Sequence, residues 1–379
     1  MPCQFPYTST GMADAIWIAV REVIGTYQLD RVLGEGGMGV VYLAEHTLLH
    51  RRVAIKLLSS RARRAVPNAV QRFVDEAQAT SAIEDPGIVQ IFDFGYHTDG
   101  RAYIVMEYLE GERLDHRVLR LRRLSIAQVL RLGRQLASSL QAAHCRGVLH
   151  RDLKPDNILV VPDPAVSGGL RAKLLDFGIC KLMNRDVHTT HDGVIVGTPT
   201  YMSPEQCRGR DDLDARSDVY SLACVLYFML TGQPVFLYRS TGELLSAHLK
   251  EKPRRASALN PNVPRALDLL LERCLAKEPD RRVQSMAELS DALGELLRAH
   301  ADDITDLVEG GDYPRATPAK TTLMYTIERP VTAPTRASRR LVSWGRRALV
   351  LALATLGLSA PAGCPAGDRG ADHVSMRAP

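Results

Sequence analysis

The chain has 379 residues, 45% hydrophobic and 24% charged, which is ordinary for a globular protein and enough for a sizeable core in about two to three domains. The formal net charge of +5 is small, and the basic clusters at Arg51-Arg52, Arg61 to Arg64, Arg117 to Arg123 and Arg336 to Arg347 come with no nucleic-acid motif, so they read as solvated faces. The seven cysteines are scattered without a Cys-x-x-Cys pair, which argues against a disulfide framework or a zinc site and fits a reducing cytoplasm.

Residues 1–26 form a lead-in to which no function is assigned; they lack the basic region, apolar core and cleavage site of a secretory signal. From Tyr27 the pattern predicts strands at Tyr27 to Leu33, Val40 to Glu45 and Val53 to Leu58. Between the first two lies Gly34-Glu35-Gly36-Gly37-Met38-Gly39. A lone Gly-x-Gly-x-x-Gly is weak evidence, because it also marks dinucleotide-binding folds. There, however, the glycines open a helix, whereas here the β-prone Val40-Val41-Tyr42 follows. Strand, turn and strand make a lid whose backbone N–H groups can approach phosphates.

Val53-Ala54-Ile55-Lys56 places a lysine on the third strand, and a helix over roughly Asn68 to Ile83 carries Glu76. Asp75 lies about 100° round that helix and faces elsewhere. Strands at Ile88 to Phe94 and Tyr103 to Glu107 follow, then an amphipathic helix over Ser125 to Arg146, with Gly147 placed to end it. Next comes His150-Arg151-Asp152-Leu153-Lys154-Pro155-Asp156-Asn157, and nineteen residues after Asn157 stands Asp176-Phe177-Gly178. The apolar runs around both segments predict two loops between buried strands, with Pro162 to Gly169 as a surface hairpin. Two acids, an amide and a lysine on such loops suit Mg²⁺ and phosphate: Asp and Asn supply hard oxygens, Lys154 can neutralise a transferring phosphoryl group, and Asp152 can accept a hydroxyl proton.

These residues, in this order, resemble the protein kinase signature of His-Arg-Asp-Leu-x-x-x-Asn followed by Asp-Phe-Gly, and over about Tyr27 to Leu297 the chain looks like a bacterial-type serine/threonine protein kinase. The resemblance implies an α+β, bilobal fold for residues 27–298, with a small β-rich N-lobe carrying helix C and a larger helical C-lobe. It implies ATP with Mg²⁺ or Mn²⁺ beneath the glycine loop of Leu33 to Gly39. Lys56 and Glu76 would position the phosphates, Asp176 and Asn157 would hold the metal, and Asp152 and Lys154 would act on the transferring group. Val41, Ala54 and Leu159 would sandwich adenine, with Met106 as gatekeeper and Glu107-Tyr108-Leu109 as hinge. Lys154, two residues after Asp152, is the serine/threonine pattern, so the partners implied are proteins with Ser or Thr acceptors.

The polar stretch Asn184 to Gly193 and the run Gly197-Thr198-Pro199-Thr200-Tyr201-Met202-Ser203-Pro204-Glu205 match an activation segment, with Thr189 and Thr190 as autophosphorylation candidates. Autophosphorylation in trans would bring two copies together as a homodimer. Arg151 suits an activation-loop phosphate. Asp218 opens the next buried run, either as a helix cap or, as the resemblance has it, bracing the catalytic loop. Arg282, with Arg281 as its neighbouring alternative, resembles the arginine that pairs with the glutamate of Ser-Pro-Glu, here Glu205. The departures are Ser203 for the commoner alanine, Asp85 where a histidine is common, and Thr80 for a large apolar residue on helix C, which is expected to loosen that helix. The competing classes are a pseudokinase scaffold, although no motif residue is lost, and a small-molecule phosphotransferase, which would lack the Gly-Thr-Pro to Ser-Pro-Glu run.

Helices of the lower lobe are predicted to end near Ala299. Residues 299–340 are rich in Asp, Thr, Pro and Gly and read as a disordered linker. In the basic-apolar tail, 341–379, the stretch Ala348 to Ala360 is uncharged for thirteen residues, short of the roughly twenty that span a bilayer. The two readings are a single anchor in the inner membrane, with the basic flank keeping the kinase domain cytoplasmic, and a peripheral apolar tail.

Overall fold

The computed structural model describes residues 22–36, 39–65, 68–177 and 199–299. The upper lobe is built on strands β1 (Val23–Ile24), β2 (Tyr27–Glu35), β3 (Gly39–His46), β4 (Arg52–Leu58), β5 (Ile91–Tyr96) and β6 (Ala102–Glu107). They form one antiparallel sheet in the order β1-β2-β3-β4-β6-β5. Alternation along β4 sends Ala54 and Leu58 into one apolar cluster with Leu33, Val41 and Ile104, and Val53, Ile55 and Leu57 into another with Ile24, Leu29 and Val105. Lys56 shares the parity of Ala54 and Leu58, so it emerges on the face that packs Phe73 and Ala77 of helix α2 (Ala69–Ser81). A short helix α1 (Ser60–Ala65) precedes α2.

Two details of this sheet differ from the sequence-based expectation. It begins upstream of Tyr27, with Ile24 fully buried and Val23 paired to Gln28. The strand expected from Ile88 forms instead at Ile91, because Asp85 to Gly87 make a turn in which the Gly87 N–H donates to Asp85 Oδ1 at 2.8 Å. Ile88 is drawn away to bridge Leu174.

The lower lobe holds a small sheet of β7 (Glu112–Arg113), β8 (Ile158–Pro162) and β9 (Leu170–Leu174), in that order. Its helices are α3 (Leu114–Leu121), α4 (Ile126–Cys145), α5 (Pro204–Cys207), α6 (Ala215–Thr231), α7 (Thr241–Lys250), α8 (Arg265–Cys274) and α9 (Met286–Ala299). Ser125 caps α4, its hydroxyl accepting from the Gln128 N–H, and Gly147 takes the left-handed φ of +73° that lets the chain turn out of the helix. Helix α6 is buried on every side from Ser217 to Leu230, as its continuous apolar run requires, and the largest apolar cluster is built around it. Its cap is Asp214, four residues before the expected start at Asp218, which frees Asp218 for another task. Among the described residues no helix is long and apolar enough to cross a membrane; Ala348 to Ala360 lie outside them.

His248 of α7 is fully buried against Phe236 and Tyr220. Its Nε2 lies 3.1 Å from the Thr200 carbonyl, which only accepts, so Nε2 carries the proton and Nδ1 accepts from the Tyr220 hydroxyl at 2.9 Å. Burial, with Lys277 nearby, pushes its pKa down to about 4. In the unfolded chain the imidazole titrates near 6.5, so between these values the unfolded state binds more protons. His248 therefore sets no stability cost above about pH 6.5 and a growing one as the pH falls toward 4. From about pH 6.5 to pH 5 the wild type is expected to lose on the order of 2 kcal/mol more stability than His248→Gln, read by urea unfolding at each pH. Parallel curves for the two chains would contradict this.

Candidate active site

The glycine loop is the strand–turn–strand lid its sequence predicts. Gly34 pairs with Val41 and Glu35 with Val40, and the Gly36 N–H donates to the Gly39 carbonyl at 2.9 Å. Gly39 is obligatory: a Cβ there would lie 2.2 Å from the Leu57 carbonyl oxygen on β4. Gly37 and Met38 lie outside the described residues. Beneath this lid Leu33, Val41, Ala54, Met106 and Leu159 belong to one apolar cluster, with Leu109 packed against it. The Glu107 side chain is turned to structure: it accepts from the Gln90 N–H at 2.8 Å and from Lys173 Nζ at 2.5 Å.

Lys56 links three elements. Its Nζ donates to Glu76 Oε1 on α2 at 3.2 Å and to Asp176 Oδ1, after β9, at 3.0 Å. The lysine is 12% exposed and the carboxylates 9% and 27%, so two charges that would otherwise repel are held by one ammonium in a partly dry site. Asp75, as predicted, points elsewhere and accepts from Gln71. Thr80 is buried on α2, yet the Lys56–Glu76 pair is formed.

Across from it, the loop from His150 to Asn157 is fixed by side chains from distant elements. Asn157 Nδ2 donates to the Asp152 carbonyl at 3.0 Å and to Asp152 Oδ2 at 3.2 Å, and Lys154 Nζ lies 3.7 Å from the same carboxylate. Arg151 adopts a left-handed φ of +63°, uncommon for a long side chain. The backbone there is held by Asp218, whose Oδ2 accepts from the His150 N–H at 2.8 Å and Oδ1 from the Arg151 N–H at 2.9 Å. His144 Nε2 meets Asp218 Oδ2 at 2.7 Å. Burial works against charge on Asp218, but the His144 hydrogen bond, the two imidazoles and the Arg151 N–H outweigh it and keep the carboxyl below its ordinary value. His150 is fully buried against the Phe177 ring, centroids 4.8 Å apart, and burial lowers its pKa, so it packs as a neutral ring.

Three supports went unread in the sequence. Gln206 Nε2 donates to the Arg151 carbonyl at 2.7 Å, while Ser203 and Gln206 make a reciprocal capping box on α5. The Ser203-x-x-Gln206 spacing carries the signal for that box, and it gives the serine found in place of alanine a physical use. Arg113, 3% exposed, ties Asp115 to Asp156 of the loop from His150 to Asn157. His144 is the third. Of the paired residues the sequence named, Glu205 meets Arg282 rather than Arg281, at 2.7 and 2.8 Å. Gly178, Thr189, Thr190, Gly197 and Thr198 lie outside the described residues.

Comparison with known proteins agrees with this geometry. The family described as protein kinase domain matches residues 27–292. The chain is 42% identical over 276 residues to serine/threonine-protein kinase Pkn1 of Myxococcus xanthus, covering 73% of this chain and 39% of that protein. It is 39% identical over 297 residues to serine/threonine-protein kinase PknH of Mycobacterium tuberculosis, covering 77% of this chain and 46% of that protein. The chain thus spans less than half the length of these curated relatives. The solved kinase domain of Mycobacterium tuberculosis PknI is similar at 31% identity with a TM-score of 0.57, covering 73% of this chain and 99% of that one.

Proposed function

The chain belongs to the protein kinase family, and from that premise we propose that it transfers the γ-phosphate of ATP to serine and threonine hydroxyls of proteins. The observation that carries the reading is Lys56 held between Glu76 and Asp176 at 3.2 and 3.0 Å, on the same side of the sheet as the apolar cluster under the glycine loop. Adenine is sandwiched by Val41, Ala54 and Leu159, with Leu33 and Leu109 at its edges, Met106 behind it, and the backbone of Glu107 to Leu109 reading its polar rim. Lys56 binds the α- and β-phosphates, and the open space around Gly36, where a Cβ would meet nothing within 4 Å, leaves room for the lid backbone to settle on them.

The carboxylate of Asp176 and the amide oxygen of Asn157 are hard donors that fit a magnesium or manganese ion completing its shell with water and phosphate oxygens. Such an ion would neutralise charge on the β- and γ-phosphates. Asp152 accepts the proton of the acceptor hydroxyl as its oxygen bonds to phosphorus and the bond to the ADP oxygen breaks. Lys154 stabilises the equatorial charge. Arg151, with a buried Nε that has no partner among the described residues, supports a role for an anion in the activation segment.

We assign the kinase domain to about residues 27–298, followed by a linker and a basic-apolar tail whose two readings are a single anchor in the inner membrane and a peripheral apolar segment. Incubation of the full chain with labelled ATP and Mg²⁺, followed by site mapping, tests the central claim. Label at Thr189 or Thr190 and on a generic Ser/Thr protein is the expected result. ATP binding without transfer to any protein would replace the reading with a scaffold.

A further inference from the structure

A second site lies outside the proposed catalytic cleft. A surface cavity of about 370 Å³ opens between α4, the β8–β9 hairpin and α9, lined by Arg131, Arg134, Ser138, Ser167, Ser290 and Leu297 among others. Its charge is unbalanced. Asp85, on its wall, is already engaged by the Ser139 hydroxyl at 2.6 Å and the Gly87 N–H at 2.8 Å, and Arg171 is paired with Asp163. Arg131 and Arg134 have no acidic partner among the described residues, and the buried Nε of Arg131 has no hydrogen bond there at all. A Cβ on Gly168 would lie 3.0 Å from Arg131 Cδ, so the hairpin backbone runs close beside the arginine stem.

The last described helix ends beside this cavity. The Ala287 N–H donates to Gln141 Oε1 at 3.0 Å, and Gly294 packs near Arg134, so α9 runs antiparallel to α4 and Leu297 comes level with Arg131. Helix α9 ends at Ala299. The residues that follow, Ala-Asp-Asp-Ile-Thr-Asp-Leu-Val-Glu-Gly-Gly-Asp from Ala301 to Asp312, hold five acids and no lysine or arginine. Four residues carry the chain from Ala299, where the helix ends, to Asp303, about 14 Å when extended, enough to turn back toward the cavity mouth.

We propose that the acidic segment 302–309 of this same chain docks in the cavity, its aspartates pairing with Arg131 and Arg134 while Ile304 and Leu307 cover Val166 and Leu297. Charge complementarity selects the ligand class, and tethering selects the source. A segment joined within a few residues of the site acts at an effective concentration of order millimolar, which a foreign acidic peptide must exceed. Partial burial keeps the pairs stronger than exposed ones, and salt weakens them.

Hydrogen exchange on the full chain, without nucleotide, tests this independently of phosphotransfer. Amides 302–309 should exchange about tenfold more slowly than in a free peptide of that sequence. The protection should vanish in Arg131→Glu/Arg134→Glu and in Asp302→Arg/Asp303→Arg/Asp306→Arg, and return when both sets are combined. Arg134→Glu alone, at an exposed position, guards against misfolding, as does unchanged protection of Leu132, Leu136 and Leu140 in α4. Unprotected wild-type amides, or protection that survives the arginine reversals, would overturn the proposal. So would an added acidic peptide that binds the wild type as tightly as the Asp-to-Arg chain, since the cavity would then be open to a partner.

Discussion

Asp152→Asn is expected to slow phosphate transfer to a protein hydroxyl by about 10²- to 10⁴-fold, the usual worth of a positioned general base, while leaving ATP binding intact. The change is isosteric, and the new amide can still present an oxygen to Asn157 Nδ2, the contact that now joins the two side chains at 3.2 Å. Thermal unfolding should therefore move little. Lys56→Met should produce a comparable loss by another route. Removing the ammonium leaves Glu76 and Asp176 facing each other without the cation each now contacts, so α2 is pushed outward and ATP affinity falls with the rate. Single-turnover rates beside nucleotide-binding curves separate the two variants. Full activity in both would sink the mechanism.

Legibility in the sequence followed the range of the interactions involved. The lid, Asp152, Asn157 and Asp176 could be read because period-2 strands and fixed loop spacings tie each residue's direction to its neighbours, while the pairing of Lys56 with Glu76 came from the family resemblance. Helix α1 escaped notice because six residues with three arginines show no apolar period. The start of α6 was misplaced because Asp214 and Asp218 both precede or enter the same apolar run. The fold shows that Asp214 caps the helix, while Asp218 is buried and receives two loop N–H groups, the bracing role that the family resemblance implied. The Lys173–Glu107 and Gln206–Arg151 links join residues 66 and 55 positions apart, and nothing local announces such partners. Glu205 and Arg282, 77 apart, were found only because the family resemblance supplied them.

That last pair carries the largest expected stability effect. Both groups are almost wholly out of water, the arginine side chain at 0% and the glutamate at 6% exposure. All five guanidinium N–H donors have acceptors: Nη1 and Nη2 reach the two Glu205 oxygens, and the rest go to the carbonyls of Ala276, Arg216 and Lys277 at 2.8 to 3.0 Å. Ser217 adds a hydroxyl to Glu205 Oε1 at 2.6 Å. Burial opposes the charge on Glu205, but Arg282 outweighs it and holds the carboxyl below its ordinary value, so this contribution is present above the unfolded carboxyl pKa of about 4.3 and is lost as pH falls. Arg282→Ala strands a buried carboxylate and three carbonyls, and should cost about 3–5 kcal/mol in urea unfolding near neutral pH. Lysine cannot reproduce the planar fork, so Arg282→Lys should lose most of that amount as well. Removing both charges in Arg282→Met/Glu205→Leu should cost clearly less than the sum of the single changes, because no unpaired ion remains. A loss below about 1 kcal/mol in Arg282→Ala would mean that the pair is replaceable by water. Because α5 also holds the Arg151 carbonyl through Gln206, the damage should reach the catalytic loop, lowering phosphotransfer even at temperatures where the variant remains folded.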